Sequence, residues 1–210
     1  MNTILNKLNW RYATKKFDSS KQVIKADLDT LLEGAKLTAS SYGLQPYEIY
    51  VIKNDNIRQE LRKASYNQPQ ITDSSYLFVL ANKPNFDEAL IDDYIDNIVS
   101  TRGVTKEDLE GYSQSMKSAL LDLPNDDKNK WSSNQAYIVL GNLMTLAAEM
   151  EIDTCPMEGF NKEQYNKILG LTKKGLNAAV VLAVGYRSTE DDTQHYPKVR
   201  YSQEQIITHI

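Results

Sequence analysis

Ala178-Ala179-Val180-Val181-Leu182-Ala183-Val184-Gly185 is the segment on which the reading of the fold turns. The run from Ala178 to Val184 is the longest unbroken apolar stretch in the chain. It falls far short of the ~20 residues that a transmembrane helix needs, and it reads as a buried strand closed by a glycine. Tyr76 to Ala81 is likewise continuously apolar and predicts a central strand covered on both faces. Tyr47 to Lys53 is rich in β-formers, and Gln45-Pro46 before it suits a strand start, because proline lacks a ladder donor.

Helical spacing fills the intervals between these strands. Ile4, Leu5 and Leu8 predict a helix over 3–9, and Leu28, Leu31, Leu32, Ala35 and Ala39 predict one over 26–39 that ends in the turn Ser40-Ser41-Tyr42-Gly43. A short helix is expected around Ile57, Leu61 and Ala64. The stretch from Glu88 to about Leu121 reads as helical with an interruption near Gly103. From Ala136 to Met150 apolar residues surround the helix almost completely, which marks a core helix that also serves a subunit interface. A short extended piece through Cys155-Pro156 follows, then a small helix from Lys162 to Leu169 closed by Gly170. The sum is an α+β fold, a mostly antiparallel central sheet surrounded by helices. The arm from Tyr196 to Ile210 reads as irregular, and its Ile206, Ile207 and Ile210 need a surface to cover them, so an intertwined homodimer with an extended C-terminal arm is expected.

The 210 residues carry 25% charged and 41% hydrophobic side chains and a net charge of −4. That is the composition of a globular chain, and it is read as a single domain over 1–210 with no repeat or linker. The acidic balance argues against nucleic acid as a partner. A single cysteine, Cys155, forbids an intrachain disulfide, and no apolar h-region follows Met1, so a cytoplasmic protein with no membrane partner is expected. Cys155 reads as a small buried hydrophobe. His195 and His209 lack metal-ligand spacing, so no metal is assigned. The doublets Asp92-Asp93, Asp126-Asp127 and Asp191-Asp192 read as solvated. No GxGxxG motif supports a dinucleotide-binding domain.

Four local features carry possible chemistry. Arg11 and Lys15, in Arg11-Tyr12-Ala13-Thr14-Lys15-Lys16-Phe17-Asp18, are answered by Pro197-Lys198-Val199-Arg200 near the other end. Basic clusters at both ends of an acidic chain suit a shared small anion, most simply a phosphate, which arginine binds bidentately. Ser40, Ser41 and Gly43 form a small-residue turn that either approaches a flat ligand or simply ends a helix. Tyr66-Asn67-Gln68-Pro69-Gln70 offers amides for a heterocycle edge or is a capped loop. In Pro156-Met157-Glu158-Gly159-Phe160, Gly159 permits close backbone approach and Glu158 sets a carboxylate beside it; a plain strand-to-helix turn is the alternative.

Arg11 to Asp18, the Ser40-Ser41 turn leading to Gln45-Pro46, the Asn67 segment, Pro156 to Phe160 and Pro197 to Arg200 occur in the order and spacing of the FMN-dependent nitroreductase family. The chain most resembles the oxygen-insensitive NAD(P)H nitroreductases over essentially its whole length. The resemblance implies a homodimer with FMN at the subunit interface. Arg11, Lys198 and Arg200 would hold the phosphate, and Lys15 would sit at the flavin N1–C2=O edge, where reduction places negative charge. Tyr12, Ala13, Pro156 and Met157 would line the cofactor. Ser40, Ser41 and Gly43 would reach in from the other subunit, Asn67 would read the pyrimidine edge, and the Glu158-Gly159 backbone would approach N5. NAD(P)H would deliver a hydride there, and a nitroaromatic, quinone or flavin would collect the reducing equivalents in a ping-pong cycle, with Lys15, Glu158 and Gly159 nearest the chemistry. Ala13 stands where a hydroxyl residue is common, Gln70 where a lysine is common, and the lid stretch 103–127 matches the family poorly. Narrower alternatives of the same fold are a pteridine or flavin reductase, or a flavin-binding sensor or storage protein with little turnover.

Overall fold

The structure, a computed structural model, describes residues 3–210. Four strands, β1 (Tyr47–Ile52), β2 (Tyr76–Asn82), β3 (Asp153–Met157) and β4 (Asn177–Gly185), form one sheet in the order β1-β2-β4-β3, with every strand pair antiparallel. The two continuously apolar segments pair at its centre, Phe78 opposite Leu182 and Val79 opposite Val181. Every residue of β2 is buried, which explains why its sequence shows no alternation.

Helices cover both faces. Because side chains alternate along a strand, Leu77, Val79 and Ala81 face one way, into a core shared with Leu61 of α3 (Asp55–Lys63) and Tyr165 of α8 (Lys162–Leu169). Tyr76, Phe78 and Leu80 face the other way, onto α2 (Lys25–Lys36) and α7 (Asn125–Glu149). A third cluster stands apart from the sheet, where Ile91, Ile95 and Ile98 of α5 (Glu88–Arg102) pack on Met116 and Leu120 of α6 (Glu110–Leu120). Gly103 at φ 68° ends α5 at the expected interruption, in a left-handed conformation that glycine adopts without strain.

The helical limits differ from the sequence reading at several points. Helix α2 stops at Lys36 and not Ala39. Helix α7 begins at Asn125, well before Ala136, because its polar opening turns carry no apolar periodicity; Ser132 and Gln135 are nevertheless buried there. Its apolar surround is also incomplete, since Tyr137 and Ile138 are exposed. Helix α1 (Thr3–Trp10) forms as expected but buries none of its residues. The arm is not wholly irregular: after a 3₁₀ turn at Asp192–His195 that precedes it, a short helix over Gln203–Ile206 starts from a Ser202 capping box. Among the described residues, no helix is long and apolar enough to cross a membrane.

Candidate active site

The segment after α1 is fastened to the sheet by backbone. Ala13 bridges to Thr154, so the first basic motif lies along the outer edge of β3, and the Thr14 amide donates to the Thr154 carbonyl at 3.2 Å. Asp191, 2% exposed, then takes over the next turn. Its Oδ2 accepts from the Lys15 amide at 2.7 Å, the Lys16 amide at 3.1 Å and the Tyr12 hydroxyl at 2.9 Å, while Oδ1 accepts from the Thr193 amide at 3.1 Å. Burial raises the Asp191 carboxyl, but these donors outweigh it and hold it below the ordinary carboxylate range. This corrects the reading of the Asp191-Asp192 doublet as solvated: one member faces water and the other is an anchor.

Beside it, Asp153 and Arg187 form an ion pair 2.6 Å apart, reinforced by Arg187 Nε donating to Oδ1 at 2.8 Å. The guanidinium lies 4.1 Å from the Trp10 ring centre and 4.6 Å from that of Tyr12. A desolvated pair between two aromatic rings is rigid, and it aims the motif that follows α1.

Arg11, Lys198 and Arg200 are brought together. Lys198 Nζ donates to the Leu8 carbonyl at 2.6 Å and to that of Arg11, while Arg200 Nη1 donates to the Val199 carbonyl at 2.6 Å. No carboxylate pairs with these three cations among the described residues, and Arg11 Nε is buried without a hydrogen-bond partner. Burial, then Arg200, pulls the Arg11 guanidinium below its ordinary value; burial, then Arg11 and Arg200, does the same to Lys198. The fold thus concentrates positive charge that a bound anion would relieve. The cluster lines a cavity of about 400 Å³ whose walls include Tyr12, Ala13, Met144 and Pro156, within the size range of small-molecule sites.

Pro156 leads from that cavity to the second half of the site. Gly159 and Glu158 are exposed at the end of β3, and the Gln68 amide reaches the Gly159 carbonyl at 2.8 Å. The Asn67 segment and the 156–160 turn are therefore neighbours. Asn67 is exposed at φ 59°, and Met157 is buried. The Glu158 carboxylate does not lie free beside backbone donors, because it accepts a hydrogen bond from the Tyr137 hydroxyl. Lys15 has an exposed side chain with no ion pair among the described residues.

Ser40, Ser41 and Gly43 do not line this cavity. Ser40 Oγ accepts from the Gln45 amide at 3.1 Å, and the Ser41 amide donates to Gln135 Oε1 at 2.8 Å. At Gly43, with φ 80°, a Cβ would collide with the Tyr94 hydroxyl. Gln70 is 6% exposed and its Oε1 has no partner among the described residues. Cys155 is buried, and burial pushes its thiol up, in keeping with a structural role. Among the described residues no group of acids, cysteines or histidines could hold a metal.

Comparison with known proteins is decisive about kinship. The model of the nitroreductase family matches residues 8–186. The chain belongs to the nitroreductase family. The major NAD(P)H-flavin oxidoreductase of Aliivibrio fischeri is 34% identical over 212 residues, covering 98% of this chain and 97% of its own. Among solved structures, a nitroreductase-like protein from Streptococcus mutans superposes with a TM-score of 0.84 at 23% identity, covering 98% of this chain and 97% of that one. A protein from Exiguobacterium sibiricum in complex with FMN gives 0.84 at 21% identity, covering 100% and 98%. The nitroreductase fold is therefore shared along the whole described chain. Sequence reasoning missed Asp191, Asp153 and Arg187, whose partners lie far off in the chain, and Tyr137, which sits in an otherwise ordinary context; Gln68 it read only as part of a polar turn.

Proposed function

We propose that this nitroreductase is an FMN-dependent NAD(P)H oxidoreductase working as a homodimer, with one cofactor held by Arg11, Lys198 and Arg200. The observation that carries the reading is the three-cation cluster with the orphaned, buried Arg11 Nε, which fits a phosphate in charge and leaves a donor free for it. When bound, FMN supplies the redox chemistry: it accepts a hydride from NAD(P)H and passes two electrons to an acceptor such as a nitroaromatic or quinone. The protein's part is to bind and orient. Lys15, whose exposed ammonium has no ion pair among the described residues, would stand at the edge where negative charge develops. Tyr12, Ala13 and Pro156, which line the cavity, would wall the cofactor, while Met157 is buried in the core beneath them and does not line it; Asn67 would offer its amide, and the Glu158-Gly159 backbone would approach the reacting edge.

The dimer reading rests on apolar surface that one chain leaves open. Leu5 is 56% exposed, and Val199, Tyr201 and Ile206 are 84%, 75% and 66% exposed along the arm. In the dimer, Ser40, Ser41 and Gly43 of the partner subunit complete the site. One sheet drawn from residues 47–185, with the residue 11 loop fastened to 198, supports a single domain. A single buried free thiol suits the cytoplasm.

Purification tests the reading. A yellow protein that oxidises NADH or NADPH with menadione or a nitrofuran, giving parallel double-reciprocal plots, is the expected outcome; a colourless protein that takes up no FMN overturns it. The kinship with an NAD(P)H-flavin oxidoreductase favours one narrower reading, a flavin reductase. Turnover faster with free FMN or riboflavin than with menadione selects it.

A further inference from the structure

The Glu158-Gly159 peptide is exposed, so packing does not hold it. The chain is firmly seated just beyond: the Asn161 amide donates to the Ala64 carbonyl at 2.8 Å, and the Phe160 ring lies 4.5 Å from that of Tyr165 in the core. At 158–159 itself the Phe160 amide donates to the Glu158 carbonyl at 2.9 Å, and two side chains add tethers from opposite directions. Gln68 Nε2 donates to the Gly159 carbonyl at 2.8 Å and to the Ser65 carbonyl at 3.1 Å, so both amide hydrogens are used and its orientation is fixed. Tyr66 and Asn67, at φ 54° and 59°, turn the chain to present it. The approach depends on Gly159, because a Cβ there would stand 3.2 Å from Gln68 Nε2. On the other side the Tyr137 hydroxyl, projecting from α7, donates to Glu158 Oε1. Burial first, and the Glu158 carboxylate second, push the phenol well above its ordinary value, so it stays a donor through the neutral range.

We propose that Gln68 and Tyr137 are positioning residues that fix the Glu158-Gly159 peptide at the flavin's reacting edge. The proposal rests on the FMN reading above. Neither residue lines the cavity of the Arg11 cluster, so cofactor affinity and hydride-transfer geometry are set by separate groups. Loss of the tethers leaves the anion site intact and lets the peptide wander, and a misplacement of about 1 Å at a reacting centre costs on the order of 100-fold in rate.

Gln68→Leu, Tyr137→Phe and the double variant test this, each keeping the bulk of the side chain. In FMN-free protein, exchange of the Phe160 amide, which donates to the Glu158 carbonyl, should quicken in each variant while that of β2 stays slow. In the loaded enzymes, the rate of flavin reduction by NAD(P)H should fall roughly 10- to 100-fold in the double variant, with FMN affinity unchanged. Unchanged exchange of the Phe160 amide, parental reduction rates, or a loss of FMN affinity that accounts for the slower rate would each overturn the proposal. Should the double variant fail to fold, the single variants carry the same comparison. A parent protein that takes up no FMN defeats the cofactor reading instead, and the exchange data still decide whether the tethers hold the peptide.

Discussion

At one end of the site, Arg11, Lys198 and Arg200 crowd together with no carboxylate among them, and a buried nitrogen is left without a partner. At the other, the Gly159 carbonyl and the Glu158 carboxylate are each met by a dedicated donor. The first region stores electrostatic repulsion that a ligand releases; the second is set in place before any ligand arrives. On the proposal above, affinity and geometry belong to different parts of the chain. Binding energy would come from charge left unsatisfied, while orientation would come from hydrogen bonds already made before the ligand arrives.

The largest expected effect breaks the charged end. Arg11→Ala should weaken FMN retention by about 1.5–3 kcal/mol, the range for hydrogen bonds to a charged group, and should leave the FMN-free protein no less stable, because a repelled cation is gone. Fluorescence titration with FMN alongside urea denaturation of the free protein measures both. Retention equal to the parent would mean the cluster does not hold the phosphate. Arg200→Ala should move retention in the same direction.

A middle-sized effect is expected at the carboxylate that underpins the charged end. Asp191→Asn leaves the Lys15 and Lys16 amides a weaker acceptor and should cost about 1–3 kcal/mol of stability. The pH dependence has a definite sign. The folded carboxyl titrates below its unfolded value, so its contribution is present above the unfolded value near 3.9 and is lost as pH falls through the lower folded one. Denaturation midpoints measured from neutral to strongly acid pH should therefore converge for parent and variant at the acid end. A constant gap would show that Asp191 contributes through shape and not charge.

The smallest effect probes the tethered end. Gly159→Ala asks only the tip of Gln68 to move by a few tenths of an ångström, so stability should stay within about 0.5 kcal/mol of the parent. Faster exchange of the Phe160 amide should accompany it. A large loss of stability there would mean the turn is a structural keystone and not a tethered surface loop.

The sheet was legible because continuous apolar runs such as 76–81 and 178–184 leave a strand little alternative to burial. The opening of α7 was not, since Asn125 to Lys130 is polar throughout, and its helical state is fixed by what packs on it later, notably Trp131 against Phe86 at 5.3 Å between ring centres. The basic cluster showed itself as a charge anomaly. Asp191 did not, because nothing in a solvated-looking doublet tells which carboxylate will meet amides 175 and 176 residues earlier. Gln68 was read only as part of a polar turn, since its partner Gly159 lies 91 residues on. Local pattern reveals what is locally unusual; it is silent about ordinary residues made important by distant ones.

The contact between Lys198 Nζ and the Arg11 carbonyl spans 187 positions of the chain, and that span has a consequence during synthesis. At about 5–20 residues per second, some 10–40 s separate the emergence of Arg11 from that of Lys198. If Lys198 is part of the phosphate grip, the nascent polypeptide lacks that grip throughout the interval, and cofactor loading must await the emergence of Lys198. Any truncation that removes the last fifteen or so positions would then yield a body with its sheet complete and its cofactor lost.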